Sequence, residues 1–221
     1  GLQYTYKLNK KNTINIGAVY TLGRTLHGDA YKYHQTGAES NGSIYVQSQT
    51  GDTIPNPFKM PHTFGIGLTY VYDNRLTIGV DYTLQKWNTA DLAWSKFNKE
   101  SVEMNSRTKI AFGAEFVPSY ISHNYLKRIR YRMGAYYSSP YNKVSYTSPD
   151  TGTTSFQDGA REYGVSIGFG LPMFQSKSML NISGQYIKVS PKFKGLMEEN
   201  YLRINIGLTF NERWFMKWKV D

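Results

Sequence analysis

Three arginines spaced two apart, Arg128, Arg130 and Arg132, stand in a 221-residue chain whose formal net charge is +10. A spacing of two puts all three on one face of a strand. Lys109 and Glu115 share the corresponding face of the preceding strand, Asp81 that of the one before it, and Arg203 that of the last. Guanidinium groups gathered this way can do one of two things. They attract a carboxylate or phosphate head group, or they pair with the protein's own carboxylates and fill space. If the link after Pro118 keeps simple register, Glu115 faces Arg130, and Gly113 leaves a gap across which Arg132 reaches Asp81. These seven residues form the candidate ligand-binding set, with both roles open.

Other chemistries find little footing. His27, His34, His62 and His123 fall in predicted loops or at strand edges, and none has the i, i+2 or i, i+4 companion of a metal site. There is no Cys, so neither a disulfide nor a thiolate centre can be invoked. No Ser and His meet on one face as an outer-membrane lipase requires. Gly65-Ile66-Gly67 and Gly168-Phe169-Gly170 are not phosphate loops, because no helix follows them. We therefore expect no enzyme activity, no catalytic residues, no metal and no cofactor. Basic residues are scattered over turns, lumen and tail rather than interleaved with aromatics on one surface, which argues against nucleic acid.

The elements that position the charges are strands. In Leu76-Thr77-Ile78-Gly79-Val80-Asp81-Tyr82-Thr83-Leu84-Gln85 every second residue is apolar and the residues between are small or polar. Eight more segments read the same way, at roughly 2 to 9, 13 to 22, 63 to 73, 107 to 117, 128 to 139, 161 to 171, 179 to 189 and 200 to 210. Connections alternate between short and long. The short ones are 10–12, 73–75, about 119–126 and 172–178; the long ones span 23–62, 87–106, 140–160 and 190–199. The two three-residue turns pair Leu8 with Ile14 and Tyr72 with Leu76, and Asn suits the left-handed position such a turn needs. Gly37 to Ser43 and Ser148 to Thr154 read as hydrophilic extracellular loops, with a small hairpin arm at Ser43 to Thr50.

Ten residues at about 3.3 Å each, tilted by about 40°, cover roughly 25 Å, the apolar band of an outer-membrane barrel. Soluble strands are nearer five or six residues. A soluble lipid-binding barrel would alternate too, with charges outside; here the polar face is rich in Gly, Thr, Ser and Asn, as a lumen is. The chain averages hydrophilic, no apolar run is long enough for a membrane helix, and all eight Pro fall in loops or at strand ends. The fold class expected is all-β, a transmembrane antiparallel up-and-down β-barrel. Residues 1–210 supply strands and loops and 211–221 a C-terminal periplasmic tail. Trp87, Trp214, Phe215 and Trp218 are the expected interface anchors, with Arg213, Lys217 and Lys219 against anionic headgroups. The tail can alternatively be read as a docking segment for a periplasmic partner or the barrel-assembly machinery.

Nine strands is an odd number, whereas single-chain bacterial barrels have an even one. With no leader and Gly1 already at a strand edge, the expectation is the C-terminal part of a larger barrel.

Two blocks carry a resemblance. The first is Ile54-Pro55-Asn56-Pro57-Phe58-Lys59-Met60-Pro61-His62-Thr63-Phe64-Gly65-Ile66-Gly67-Leu68-Thr69-Tyr70 with the strand at 76–82 and Gln85-Lys86-Trp87. The second is Ala111 to Pro118 with Arg132 to Pro140. Over roughly 54 to 210 the chain resembles the FadL/TodX-type outer-membrane transport proteins. The resemblance implies a fourteen-stranded barrel with an N-terminal plug upstream, in the outer membrane of a Gram-negative bacterium, passively admitting long-chain fatty acids or other hydrophobic small molecules. Implied partners are outer-membrane lipid and lipopolysaccharide, a hydrophobic ligand, the missing N-terminal strands or plug, and other outer-membrane or periplasmic proteins. The alternative function is a non-transporting barrel subunit of a multi-protein secretion or barrel-assembly complex.

Overall fold

The computed structural model describes residues 1–40, 43–56, 58–89, 103–147, 153–173, 178–191 and 197–210. Period-two alternation becomes nine long strands in one antiparallel sheet. They are β1 (Leu2–Lys7), β2 (Asn12–Thr21), β7 (Thr63–Tyr72), β8 (Leu76–Gln85), β9 (Arg107–Phe116), β10 (Arg130–Ser138), β13 (Ala160–Pro172), β14 (Met179–Pro191) and β15 (Glu199–Thr209). Each pairs with the next in that order, so the sheet is an up-and-down meander. Among the described residues β1 and β15 are its open edges. All nine strands read from the sequence are present, with ends displaced by one or two residues.

The remaining strands lie within the long links. β3 (Thr25–Leu26) pairs with β6 (Phe58–Lys59), β4 (Asp29–Ser40) with β5 (Ser43–Pro55), and β11 (Lys143–Thr147) with β12 (Thr154–Asp158). The Gly37–Ser40 stretch, expected in a loop, belongs instead to β4, within a hairpin far longer than the small arm expected at Ser43 to Thr50. A ladder satisfies backbone groups whatever the side chains, so a polar segment can be strand where neither face needs burial. The loop expected at 148–154 lies mostly outside the described residues, as does the tail at 211–221.

Register fixes the faces. Ile66–Tyr82, Leu68–Val80, Val80–Phe112, Phe112–Ala135 and Met133–Ile167 are directly opposite one another, so the apolar positions join into one face across the sheet. That face is uncovered: Met133 is 61% exposed, Ile167 63% and Ile206 73%. The large apolar side chains that are buried among the described residues are four, Ile54, Val117, Ile129 and Ile187. Nine strands spaced about 4.8 Å apart and about 30 Å long make a face on the order of 1,000 Å². Soluble monomers rarely expose apolar patches beyond a few hundred Å². Among the described residues the sheet has no core of the kind a soluble protein buries.

The tight turns show local chemistry. Tyr72 pairs with Leu76, and the turn is closed by the Arg75 N–H donating to the Tyr72 carbonyl at 2.8 Å. Asp73 and Asn74 have φ of 49° and 53°, the left-handed geometry that matches the strand twist. We predict that Asn74→Val destabilises the folded wall by about 1–2 kcal/mol while Asn74→Gly is neutral or better, read as shifts in the urea midpoint. The β1–β2 turn departs from the expected pairing, since Tyr6 rather than Leu8 lies opposite Ile14. The Asn9 carboxamide oxygen accepts from the Lys11 and Asn12 N–H groups at 2.9 and 2.8 Å, which spreads the turn over Leu8–Lys11. Displacement by two preserves the faces.

Candidate functional site

The other face of the sheet is lined by small residues with two groups of charges, one toward each end. At mid-height Gly79, Gly113, Gly134 and Ser166 are successive neighbours across β8, β9, β10 and β13. Toward the short-turn end, Glu115 on β9 lies directly opposite Arg132 on β10. Its carboxylate accepts from Arg132 Nε at 2.6 Å and from Arg130 Nη1 at 3.1 Å. Arg132 Nη1 donates to Asn181 Oδ1 on β14 at 2.8 Å, spanning β13 on the way. It can do so because β13 presents Gly168 and Gly170 beneath it; a Cβ at Gly170 would stand 3.1 Å from Arg130 Cβ. The glycines are there to seat the arginines.

A second network lies toward the long-loop end. Arg107 Nε donates to Ser138 Oγ at 2.7 Å, and its Nη2 is 3.9 Å from Glu162 Oε2. The Tyr136 hydroxyl donates to Glu162, and Lys109 stands over the Tyr136 ring at 4.6 Å. Tyr136 lies flat across Gly164, where any Cβ would collide with the ring. Ile187, opposite Gly164 on the other side, is buried on this face. Alternation alone gave no sign of that, since a filled hole beside glycine is a cross-strand property. Gly164→Val is predicted to cost about 1–3 kcal/mol of folding stability, and less in a Tyr136→Ala background, by equilibrium unfolding of the two single variants and the double.

Of the seven candidate residues the structure brings three together, Glu115, Arg130 and Arg132. The expected register is displaced by two, so Glu115 faces Arg132, and Arg132 turns toward Asn181 rather than Asp81. The cause is the β9–β10 link, which is not a simple hairpin. It contains a 3₁₀ turn, η2 (Tyr125–Arg128), capped by Asn124 Oδ1 accepting from the Leu126 N–H at 3.0 Å. Arg128 ends that turn instead of joining the strand, and its guanidinium stacks over Tyr125 at 5.5 Å. Lys109 belongs to the Arg107–Glu162 network. Asp81 lies in a groove with Gly17, Thr69, Lys109 and Ala111, its carboxylate over Gly67. Arg203 is exposed on β15, opposite Gln185. Sequence reasoning missed Asn181, Arg107, Tyr136 and Glu162, whose polar-face parity was the available signal.

Of the expected anchors, Trp87 follows β8 at the long-loop end in a short 3₁₀ turn, its indole N–H donating to Gln85 Oε1 at 3.1 Å and its ring 5.7 Å from that of Tyr141. Trp214, Phe215 and Trp218 lie outside the described residues.

Chemically, both charged groups are pins. Glu115 ties β9 to β10 and Arg132 ties β10 to β14; Arg107 and Tyr136 do the same near the other end. A family model described as BamG matches residues 1–221, the whole chain. The chain belongs to the BamG family. BamG is a barrel-assembly-related family and not one of FadL/TodX transport proteins, which corrects the resemblance and with it the fatty-acid uptake and lipid-transport expectations drawn from it. Strands with Gly-x-Gly on the inner side and Pro at their ends meet a demand of barrel walls in general, so such motifs mark wall geometry more than lineage. The BamG family is outer-membrane-associated and Gram-negative. No curated protein and no solved structure matches the chain.

Proposed function

We propose that this chain is an integral, non-transporting wall subunit of a multi-protein outer-membrane barrel-assembly complex. The observation that carries this reading is the BamG family match over the entire chain. Two features of the wall support it. Its outward apolar face is uncovered, which suits lipid. Its inner arginines at 130 and 132 are engaged by Glu115 and Asn181, so they serve the wall before any solute.

The open edges fit an assembly as well. All eight neighbouring strand pairs are antiparallel, so β1 and β15 run in the same direction, and an antiparallel ladder joining them takes an odd number of further strands. Unpaired backbone groups in hydrocarbon cost several kcal/mol each, so the edges require strand partners from beyond the described residues.

The test is mild detergent extraction of the tagged full-length protein, with sizing and mass spectrometry of what remains bound. Stoichiometric recovery of barrel-assembly components, together with falling levels of other outer-membrane barrels on depletion, is the expected result. A lone barrel with no stoichiometric partner and unchanged outer-membrane proteins on depletion would overturn the proposal.

A further inference from the structure

At the short-turn end of the apolar face, β13, β14 and β15 place Leu171, Leu180 and Leu208 side by side. The β9–β10 link reaches that same row. Tyr125, the first residue of η2, lines a groove with these three leucines, Pro172 and Met173. The link that brings it there is held in shape. Ser119 N–H donates to the Lys127 carbonyl at 2.8 Å, the Tyr131 hydroxyl donates to the Leu126 carbonyl at 3.0 Å, and Asn124 caps the turn. One end of the trough is cationic, because the Arg128 guanidinium stacks over the Tyr125 ring and Lys127 precedes it.

The short turns along this end of the sheet have the same sign. Among the described residues they carry Lys10, Lys11, Arg75, Lys127 and Arg128 against one acid, Asp73, which is itself 3.6 Å from Arg75 Nε. An aliphatic trough opening onto an apolar wall, with cations where the wall ends, has the two-part chemistry of a phospholipid. A soluble acidic protein would use the rim charges but not the leucine row, which lies on the face turned to hydrocarbon.

We infer that this groove binds an anionic phospholipid of the periplasmic leaflet, an acyl chain lying along Leu171, Leu180 and Leu208 and the phosphate against Arg128 and Lys127. This rests on the proposed membrane-embedded wall, since short turns of such barrels face the periplasm. The site fastens the β9–β10 link to the wall of β13–β15 through the lipid.

The experiment is native mass spectrometry of the full-length protein, in whatever complex it is extracted, released from nanodiscs of equal phosphatidylglycerol and phosphatidylethanolamine. We expect phosphatidylglycerol to be retained with a preference of about fivefold or more. Arg128→Gln should abolish the preference, Arg128→Lys should keep most of it, and Leu180→Trp should reduce retention of both lipids by filling the trough. Equal retention of the two lipids, or a preference that survives both Arg128→Gln and Leu180→Trp, would overturn the site and leave the membrane wall standing. So would loss of a bound acidic protein, rather than of lipid, in Arg128→Gln. Protein that does not enter nanodiscs at all would overturn the wall and the site together.

Discussion

Ile167→Arg is expected to lower the fraction of the chain that folds into the membrane, whereas Ser166→Arg, one residue away, is expected to be tolerated. Ile167 stands near mid-height on the apolar face between Met133 and Gly184. A guanidinium held there by the ladder cannot turn inward, and near the bilayer midplane it costs about 2–4 kcal/mol. Ser166 points to the opposite face, between Gly134 and Gln185, where the glycine leaves room and the environment is polar. The readout is the fraction of protein that resists alkaline extraction from membranes and keeps heat-modifiable gel mobility. If the two variants behave alike, or if Ile167→Arg yields a better-folded soluble protein, the apolar face does not meet lipid.

Loss of the Glu115 carboxylate should weaken the charged network of the inner face more than any other single change within it. Glu115→Leu leaves Arg130 and Arg132 side by side with like charges and one fewer acceptor. Removing one partner of a fully buried pair costs about 3–5 kcal/mol. These side chains keep about a third of their surface exposed, at 33% and 37% for the two arginines, so solvent screens part of that. We expect about 2 kcal/mol, seen as a lower urea midpoint in lipid or detergent. Adding Arg132→Met should recover part of the loss, because the remaining Arg130 then has no like-charged neighbour on its own strand face. Additive losses in the double variant would show that the carboxylate stabilises the wall by some route other than these arginines.

The likeness to FadL/TodX strands rests on features common to barrel walls. The blocks 54–70 and 111–118 carry alternation, small inner residues and strand-end prolines, and these follow from being a strand of a curved wall. Each is a local property. They restrict the fold class closely and the lineage hardly at all; the lineage is carried by the BamG match over all 221 residues.

Nine strands, the faces of their residues, the left-handed turn at Asp73-Asn74 and the inward direction of Glu115, Arg130 and Arg132 all follow from a period of two and from turn chemistry, which act over a few residues and are legible in the chain. Which side chains meet across the sheet is settled by the fold. Whether Arg132 reaches Asp81 or Asn181 depends on a two-residue displacement set by Asn124 capping η2, a link too irregular for parity counting to cross. That the same link carries Arg128 off the strand and seats Tyr125 beside Leu171, Leu180 and Leu208, and that Gly164, with Ile187 opposite it, leaves room for the Tyr136 ring, are likewise matters of register between strands distant in sequence. Alternation is unchanged by a slip of two, so it preserves the faces while leaving partners undetermined wherever no tight turn sets the register.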